Sequence, residues 1–241
     1  WKFKIDKTIN EVEIYRQLRN KNPSPFAGLI NYKGSNIICS SPERLVSVKG
    51  EYLETRPIAG TRPRGSSGLQ DIELSMELIN SDKEKAEHLM LVDLERNDIS
   101  KVCKPGSVKV NEMMTIESYA HVHHIVSNVC GLKVDDISPG EIIRSIFPGG
   151  TITGCPKVRC MEILGELERE GRGPYTGSLG YVTHCGNMDL NILIRSMLKE
   201  KEFLYFRAGG GIVADSVPEN ETIETEAKAN GMLKALGSFS K

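Results

Sequence analysis

Two pairs of glutamates set three apart, a triple glycine and one arginine inside an apolar run are the residues here best suited to joint chemistry. In the stretch from Pro218 to Lys228, a proline suited to the first turn of a helix precedes Glu221 and Glu224. Their carboxylates share one helical face, with Lys228 one turn further on. Like charges on one face repel, and a divalent cation relieves the repulsion. Glu84 and Glu87 repeat the spacing in a helix expected from Asp82 to Arg96. Two such helices facing one another would supply four hard oxygen donors, a set that suits Mg²⁺ with some waters kept. The same spacing also suits a solvated helical face, and periodicity alone leaves both readings open. Ahead of Glu221, the glycines Gly209, Gly210 and Gly211 let backbone N–H groups approach a ligand closely. Ile212-Val213-Ala214 then reads as the end of a strand.

Arg195 interrupts the run Ile192 to Leu198. A guanidinium there needs either an acidic side chain or a ligand carboxylate, which its planar fork grips with two parallel hydrogen bonds. Pro148 to Lys157 is a glycine-rich loop that enters a helix at Pro156, and the helix N-terminus is a ready anion site. Neither a phosphate-binding P-loop nor a dinucleotide fingerprint is present. Arg56 to Gly65 is a turn-rich loop with three arginines, in which Gly60 and Thr61 offer an N–H and a hydroxyl to an anion. A solvated basic loop is the other reading of that stretch. Around Ser118 to Ser127, alternation puts His121 and His123 on one face of a strand and His124 on the other. That division, with no acidic ligand at matching spacing, argues against zinc and leaves His124 as a proton carrier or hydrogen-bond donor.

The elements that must position these residues follow from patterning. Trp1 to Ile9 shows no element of its own, and Glu11 to Arg19 is a helix stopped by Asn22-Pro-Ser-Pro25. Phe26–Tyr32, Asn36–Cys39, Leu45–Val48 and Tyr52–Thr55 read as a meander, and Ser66 to Gln70 as flexible chain. Gly106–Val110 and Met114–Val129 are strands, Ser138–Phe147 is a short helix, and the helix 157–168 is expected to bury Met161, Leu164 and Leu167. Tyr175–Thr183, Met188–Lys199 and Phe203–Phe206 complete an antiparallel set. At 241 residues the chain can bury a sizeable core, and a net charge of -1 suggests neither nucleic acid nor an anionic membrane as partner. No run has the length of a membrane span and no signal peptide opens the chain. Six cysteines without a C-x-x-C pair point to reduced, mostly buried thiols and a cytoplasmic protein.

Taken together, Ser41-Pro-Glu-Arg44, Pro57 to Gly65, Glu87 to Asp98, Pro148 to Arg159 and Ala208 to Ser216 resemble the chorismate-utilising enzymes. These are anthranilate synthase component I, aminodeoxychorismate synthase component I, and the isochorismate and salicylate synthases. The resemblance runs through nearly the whole chain. It implies an α+β fold in which two packed antiparallel β-sheets are flanked by helices, with residues 1–241 forming one chorismate-binding catalytic domain. Family members carry a substantial N-terminal half, so the chain is expected to be the C-terminal portion of a longer one. The resemblance further implies that Glu84, Glu87, Glu221 and Glu224 surround Mg²⁺, which chelates the ring carboxylate of chorismate. Tyr175 and Arg195, with the backbone of Gly209 to Gly211, would hold the enolpyruvyl carboxylate. Gly60, Thr61 and Thr151 would line the ring, His124 would sit beside it, and Lys228 would reach the metal-side carboxylate.

Asn22 to Gly28, Gly149 to Gly154 and Ala208 to Gly211 look like the aminodeoxychorismate branch, with ammonia from a glutamine amidotransferase subunit. Many members of that branch carry a lysine nucleophile where this chain has Ala59, which keeps anthranilate synthase as the alternative. Isochorismate formation and a binding-only remnant are the remaining rivals.

Overall fold

The computed structural model describes residues 2–6, 10–119 and 122–237. In chain order its elements begin β1 (Lys2–Asp6), α1 (Glu11–Lys21), β2 (Phe26–Tyr32), β3 (Ser35–Ser41), β4 (Arg44–Lys49), β5 (Tyr52–Arg56) and β6 (Ile58–Pro63). There follow α2 (Gly68–Asn80), α3 (Asp82–Ser100), β7 (Lys109–Ser118), β8 (Val122–Leu132), α4 (Pro139–Ile146), a 3-10 turn (Gly150–Ile152) and α5 (Lys157–Leu167). The chain ends with β9 (Gly180–Val182), β10 (Met188–Asn191), β11 (Ser196–Glu200), β12 (Phe203–Arg207) and α6 (Pro218–Gly237). They sort into two compact units, residues 1–43, 170–179 and 191–241 in one, and 44–169 and 180–190 in the other.

The first unit is built on an antiparallel sheet of order β1-β12-β11-β3-β2. Alternation along these strands sends Ile38, Met197, Leu204 and Phe206 into a core closed by Ile14 and Leu18 of α1 and Ala229, Met232 and Ala235 of α6. The Asn10 side chain starts α1 by accepting from Val12 N at 2.9 Å, and Asn22 ends it. The polar N-terminus does form a strand, contrary to expectation. β1 pairs with β12, and Phe3 stacks on Phe206 with ring centroids 4.4 Å apart. Five residues of weak patterning become a strand because an edge and an aromatic partner from residues 203–207 are waiting for them.

In the second unit the sheet order is β6-β8-β5-β4-β10-β9, with β7 on the other edge of β8. Two expectations fail here. The stretch 56–65 is not a loop, because β6 runs through it against β8, accommodating Gly60 (φ 63°) at a register shift between Ala59 and Thr61. Ser66 to Gln70 is not flexible either, since the Ser67 side chain accepts from Gln70 N and opens α2. The expected strand 114–129 proves to be parts of two antiparallel strands, β7 and β8, with residues 120 and 121 outside the described set.

Further differences share one cause, a local pattern that tertiary pairing divides. Met188–Lys199 splits at residues 192–195, so β10 and β11 belong to different sheets. Only Gly180–Val182 of the expected strand 175–183 is extended, and Gly177 N bonds to Pro174 O in a turn before it. Ile212-Val213-Ala214 is not strand, and Ile212 is 74% exposed. α5 forms as expected but buries none of its residues, and Leu167 is 73% exposed. Amphipathic spacing tells which side of a helix is apolar and not whether an element lies against it. All six cysteines are free, and Cys39, Cys103 and Cys130 are buried. Among the described residues no helix is long and apolar enough to cross a membrane.

Candidate functional site

In the first unit the residues singled out by sequence gather around Gly209–Gly211, which leave β12 as open coil. The Tyr175 hydroxyl lies 3.5 Å from where a Cβ on Gly209 would stand. Around Gly210 the corresponding distances are 3.4 Å to Glu221 Oε2, 3.5 Å to Lys228 Nζ and 3.8 Å to Glu224 Oε1. Glycine at 210 thus leaves open the space onto which two carboxylates and an ammonium converge. Ser216 Oγ donates to Glu221 Oε1 at 2.6 Å, which fixes that carboxylate at the start of α6. Lys228 Nζ is 2.6 Å from Glu224 Oε1 and donates to Gly209 O at 3.3 Å.

Arg195 lies in the four-residue break between β10 and β11, at φ 50°, a left-handed conformation that side chains other than glycine's rarely adopt. Burial pushes its pKa down, and the charge of Glu43 opposes the shift. No hydrogen bond or ion pair to its guanidinium occurs among the described residues. The strain and the desolvation are therefore both borne without a bonded protein acid. By contrast, Arg56 is bound to Glu112 and Glu117, Arg62 to Glu77 and Glu84, and Arg64 to Asp71. The three arginines of the stretch read as a turn-rich loop are thus engaged by protein carboxylates.

In the second unit, Gly60, Thr61 and His124 meet across the β6–β8 pairing. His124 Nδ1 is 3.0 Å from Thr61 Oγ1 and 3.1 Å from Gly60 O. A carbonyl only accepts, so Nδ1 carries the proton and Nε2 is the lone-pair nitrogen of the neutral ring. His123 faces elsewhere as expected, its Nε2 2.9 Å from Asp71 Oδ1, and His121 lies outside the described residues. Glu84 and Glu87 stand on α3, and Glu84 Oε2 lies 2.9 Å from where a Cβ on Gly60 would be. That Cβ would also meet Leu78 Cδ1 at 2.8 Å. Gly60→Ala is therefore expected to lower stability by about 1–3 kcal/mol, from the left-handed backbone and the two contacts together. Urea unfolding with an unchanged midpoint would contradict this. Thr151 presents a buried Oγ1 that has no hydrogen-bond partner.

The first unit thus sets the Glu221 and Glu224 carboxylates against Gly210, and the second sets the Glu84 carboxylate against Gly60. Among the described residues no three His, Cys, Asp or Glu side chains stand ready as a metal-binding group. Sequence reading missed Glu43. It is 5% exposed and electrostatically coupled to Arg195, although it entered the reading only as part of Ser41-Pro-Glu-Arg44. No local signal marks it, since its burial comes from tertiary packing.

Residues 1–234 match the model of the chorismate binding enzyme family, and the chain belongs to that family. It is 51% identical over 229 residues to aminodeoxychorismate synthase component 1 of Bacillus subtilis (strain 168), covering 95% of this chain and 49% of that protein. Anthranilate synthase component 1 of Aquifex aeolicus (strain VF5) is 49% identical over 227 residues, covering 94% and 46%. The crystal structure of anthranilate synthase component I from Streptococcus pneumoniae TIGR4 superposes with a TM-score of 0.88 at 40% identity, covering 96% of this chain and 51% of that one. The expected fold of two antiparallel sheets with helices is the family's. The chain spans about half the length of these relatives.

Proposed function

We propose that the chain replaces the C4 hydroxyl of chorismate with an amino group, giving 4-amino-4-deoxychorismate, with ammonia from a glutamine amidotransferase partner. The observation that carries this reading is Arg195, a desolvated guanidinium with no bonded protein acid. A planar carboxylate is the ligand its fork fits, and the enolpyruvyl group of chorismate supplies one. The Tyr175 hydroxyl and the backbone N–H groups at Gly209–Gly211 add donors to the same carboxylate. Glu84, Glu87, Glu221 and Glu224 are hard oxygen donors suited to Mg²⁺. Bound there, the ion would neutralise the ring carboxylate and draw electrons from the diene. Gly60, Thr61 and Thr151 line the ring. Ammonia enters and water leaves, so the nitrogen loses a proton and the departing hydroxyl gains one. His124 Nε2 is the basic atom placed to hold that proton. Lys228 reaches the metal-side carboxylate and lowers the charge of the Glu221–Glu224 pair.

Anthranilate formation is the second reading, and Ala59 favours it. This residue is 7% exposed on β6 and has no nucleophile with which to form a ring adduct. Incubation with chorismate, Mg²⁺ and ammonium followed by product identification separates the two. 4-Amino-4-deoxychorismate is the expected product. Anthranilate with pyruvate would move the chain to the other branch, isochorismate to a third, and binding without turnover would leave a chorismate-binding remnant.

A further inference from the structure

Glu95 and Asp98 are carboxyls three apart on α3, 4% and 1% exposed, and neither has a part in the chemistry proposed above. Both meet the segment that joins α4 to α5 and carries Thr151. Asp98 ties its two ends. Lys157 Nζ, at the head of α5, makes a short charge-assisted hydrogen bond to Asp98 Oδ2. The same Nζ donates to Ile146 O, at the end of α4, at 2.9 Å. Ser145 Oγ donates to the Asp98 carbonyl at 2.6 Å, and Lys101 Nζ to Asp98 Oδ1 at 3.0 Å.

Glu95 meets the middle of the segment. A Cβ on Gly150 would stand 3.3 Å from Glu95 Oε1 and 2.1 Å from Leu94 Cδ2, so the 3-10 turn lies flush on α3 and only glycine fits. Burial pushes the Glu95 carboxyl up to about 7, Asp98 adds to the rise, and Lys157 opposes it, with smaller opposing contributions from Thr55 and the Gly150 backbone. Glu95 Oε2 and Thr55 Oγ1 are both buried without a hydrogen-bond partner of normal geometry. A protonated carboxyl has an O–H to offer there, whereas an ionised one meets burial and the repulsion of Asp98, which outweigh the attraction of Lys157.

We infer that Glu95 is a positioning residue: its carboxyl pins the Gly150 turn to α3 and so sets the direction of the Thr151 hydroxyl. The link to Thr151 rests on the proposed chorismate chemistry, whereas the pinning does not, and the experiment separates the two. Hydrogen exchange is followed in the segment 148–156 of the wild type, Glu95→Gln and Glu95→Leu. In Glu95→Leu the segment is expected to exchange at least about 10-fold faster while β8 stays protected, and Glu95→Gln to keep most of the protection. In the wild type, protection of this segment falls as pH rises from the ordinary carboxyl range to about 7 and levels off above it, because the fold favours the neutral carboxyl, and Glu95→Gln shows no such fall. Where turnover is measured, Glu95→Leu and Thr151→Val both lower kcat more than they change KM, and the double variant is no worse than the poorer single one. Unchanged exchange of 148–156 in folded Glu95→Leu overturns the inference. If that variant does not fold, a pH response of Glu95→Gln identical to the wild type overturns it instead. A wild type that shows the exchange behaviour but binds no chorismate sinks the proposed function and leaves the pinning intact.

Discussion

Chorismate binding is lost when Arg195 is replaced by glycine, with a Kd at least about 100-fold higher, as expected when a ligand carboxylate loses the desolvated charge that grips it. Glycine is the informative replacement because of the backbone. Arg195 stands at φ 50°, where glycine is at ease and arginine is not. Removing the side chain therefore relieves local strain, and it also removes a half-buried cation that has no bonded protein acid. Thermal stability should hold or rise while binding disappears. A residue kept for an interior ion pair would behave oppositely, since its loss strands a buried acid and destabilises the fold. Glu43 is the carboxyl to watch in that comparison, as the acid whose charge acts on Arg195. Arg195→Lys keeps the charge without the fork and should recover only a minor part of the affinity. Calorimetry with chorismate and a melting curve on the same preparation give both readouts. Arg195→Gly that binds chorismate like the wild type, or that unfolds, refutes the assignment.

Arg195 also shows where sequence reasoning reached and where it stopped. A charge inside an apolar run announced a special position, but the run looked like one continuous strand. The run is a crossing from one sheet to another, and the residues of the break carry the guanidinium. Local patterning cannot reveal that, because Ile192 to Leu198 reads as one apolar run across the break. β6 was hidden for the opposite reason. Pro57, Gly60 and Pro63 are locally turn formers, and the segment is extended only because β8 supplies partners for it. Helices α1, α3, α4 and α6 were legible because caps and acidic first turns are local signals; Ser138 and Glu141, for instance, form a complete capping box. α5 was legible as a helix, though its burial was not. Glu43 and Glu95 escaped notice because burial of a carboxyl is a tertiary fact, and in sequence both look like ordinary surface acids.

Glu221→Gln should raise the Mg²⁺ concentration needed for half-maximal chorismate turnover by about 10- to 100-fold or more, the scale set by losses in a metal's surroundings. The amide keeps the shape of the side chain and can still accept from Ser216 Oγ, so the variant removes charge and little else. Glu221 lies in the first turn of α6, where an acid's favourable interaction with the helix dipole is small, so the melting temperature should barely move. Glu224 differs in being 54% exposed and paired with Lys228, a contact that water largely screens. Glu224→Gln should therefore weaken Mg²⁺ dependence less than Glu221→Gln. Ser216→Ala frees the Glu221 carboxylate to rotate and should fall between the wild type and Glu221→Gln. That ordering is the sensitive part of the test, because a solvated acidic face would make all three variants alike. Turnover titrated with Mg²⁺ at saturating chorismate reads it directly, and Glu221→Gln with wild-type Mg²⁺ dependence would remove α6 from the metal assignment.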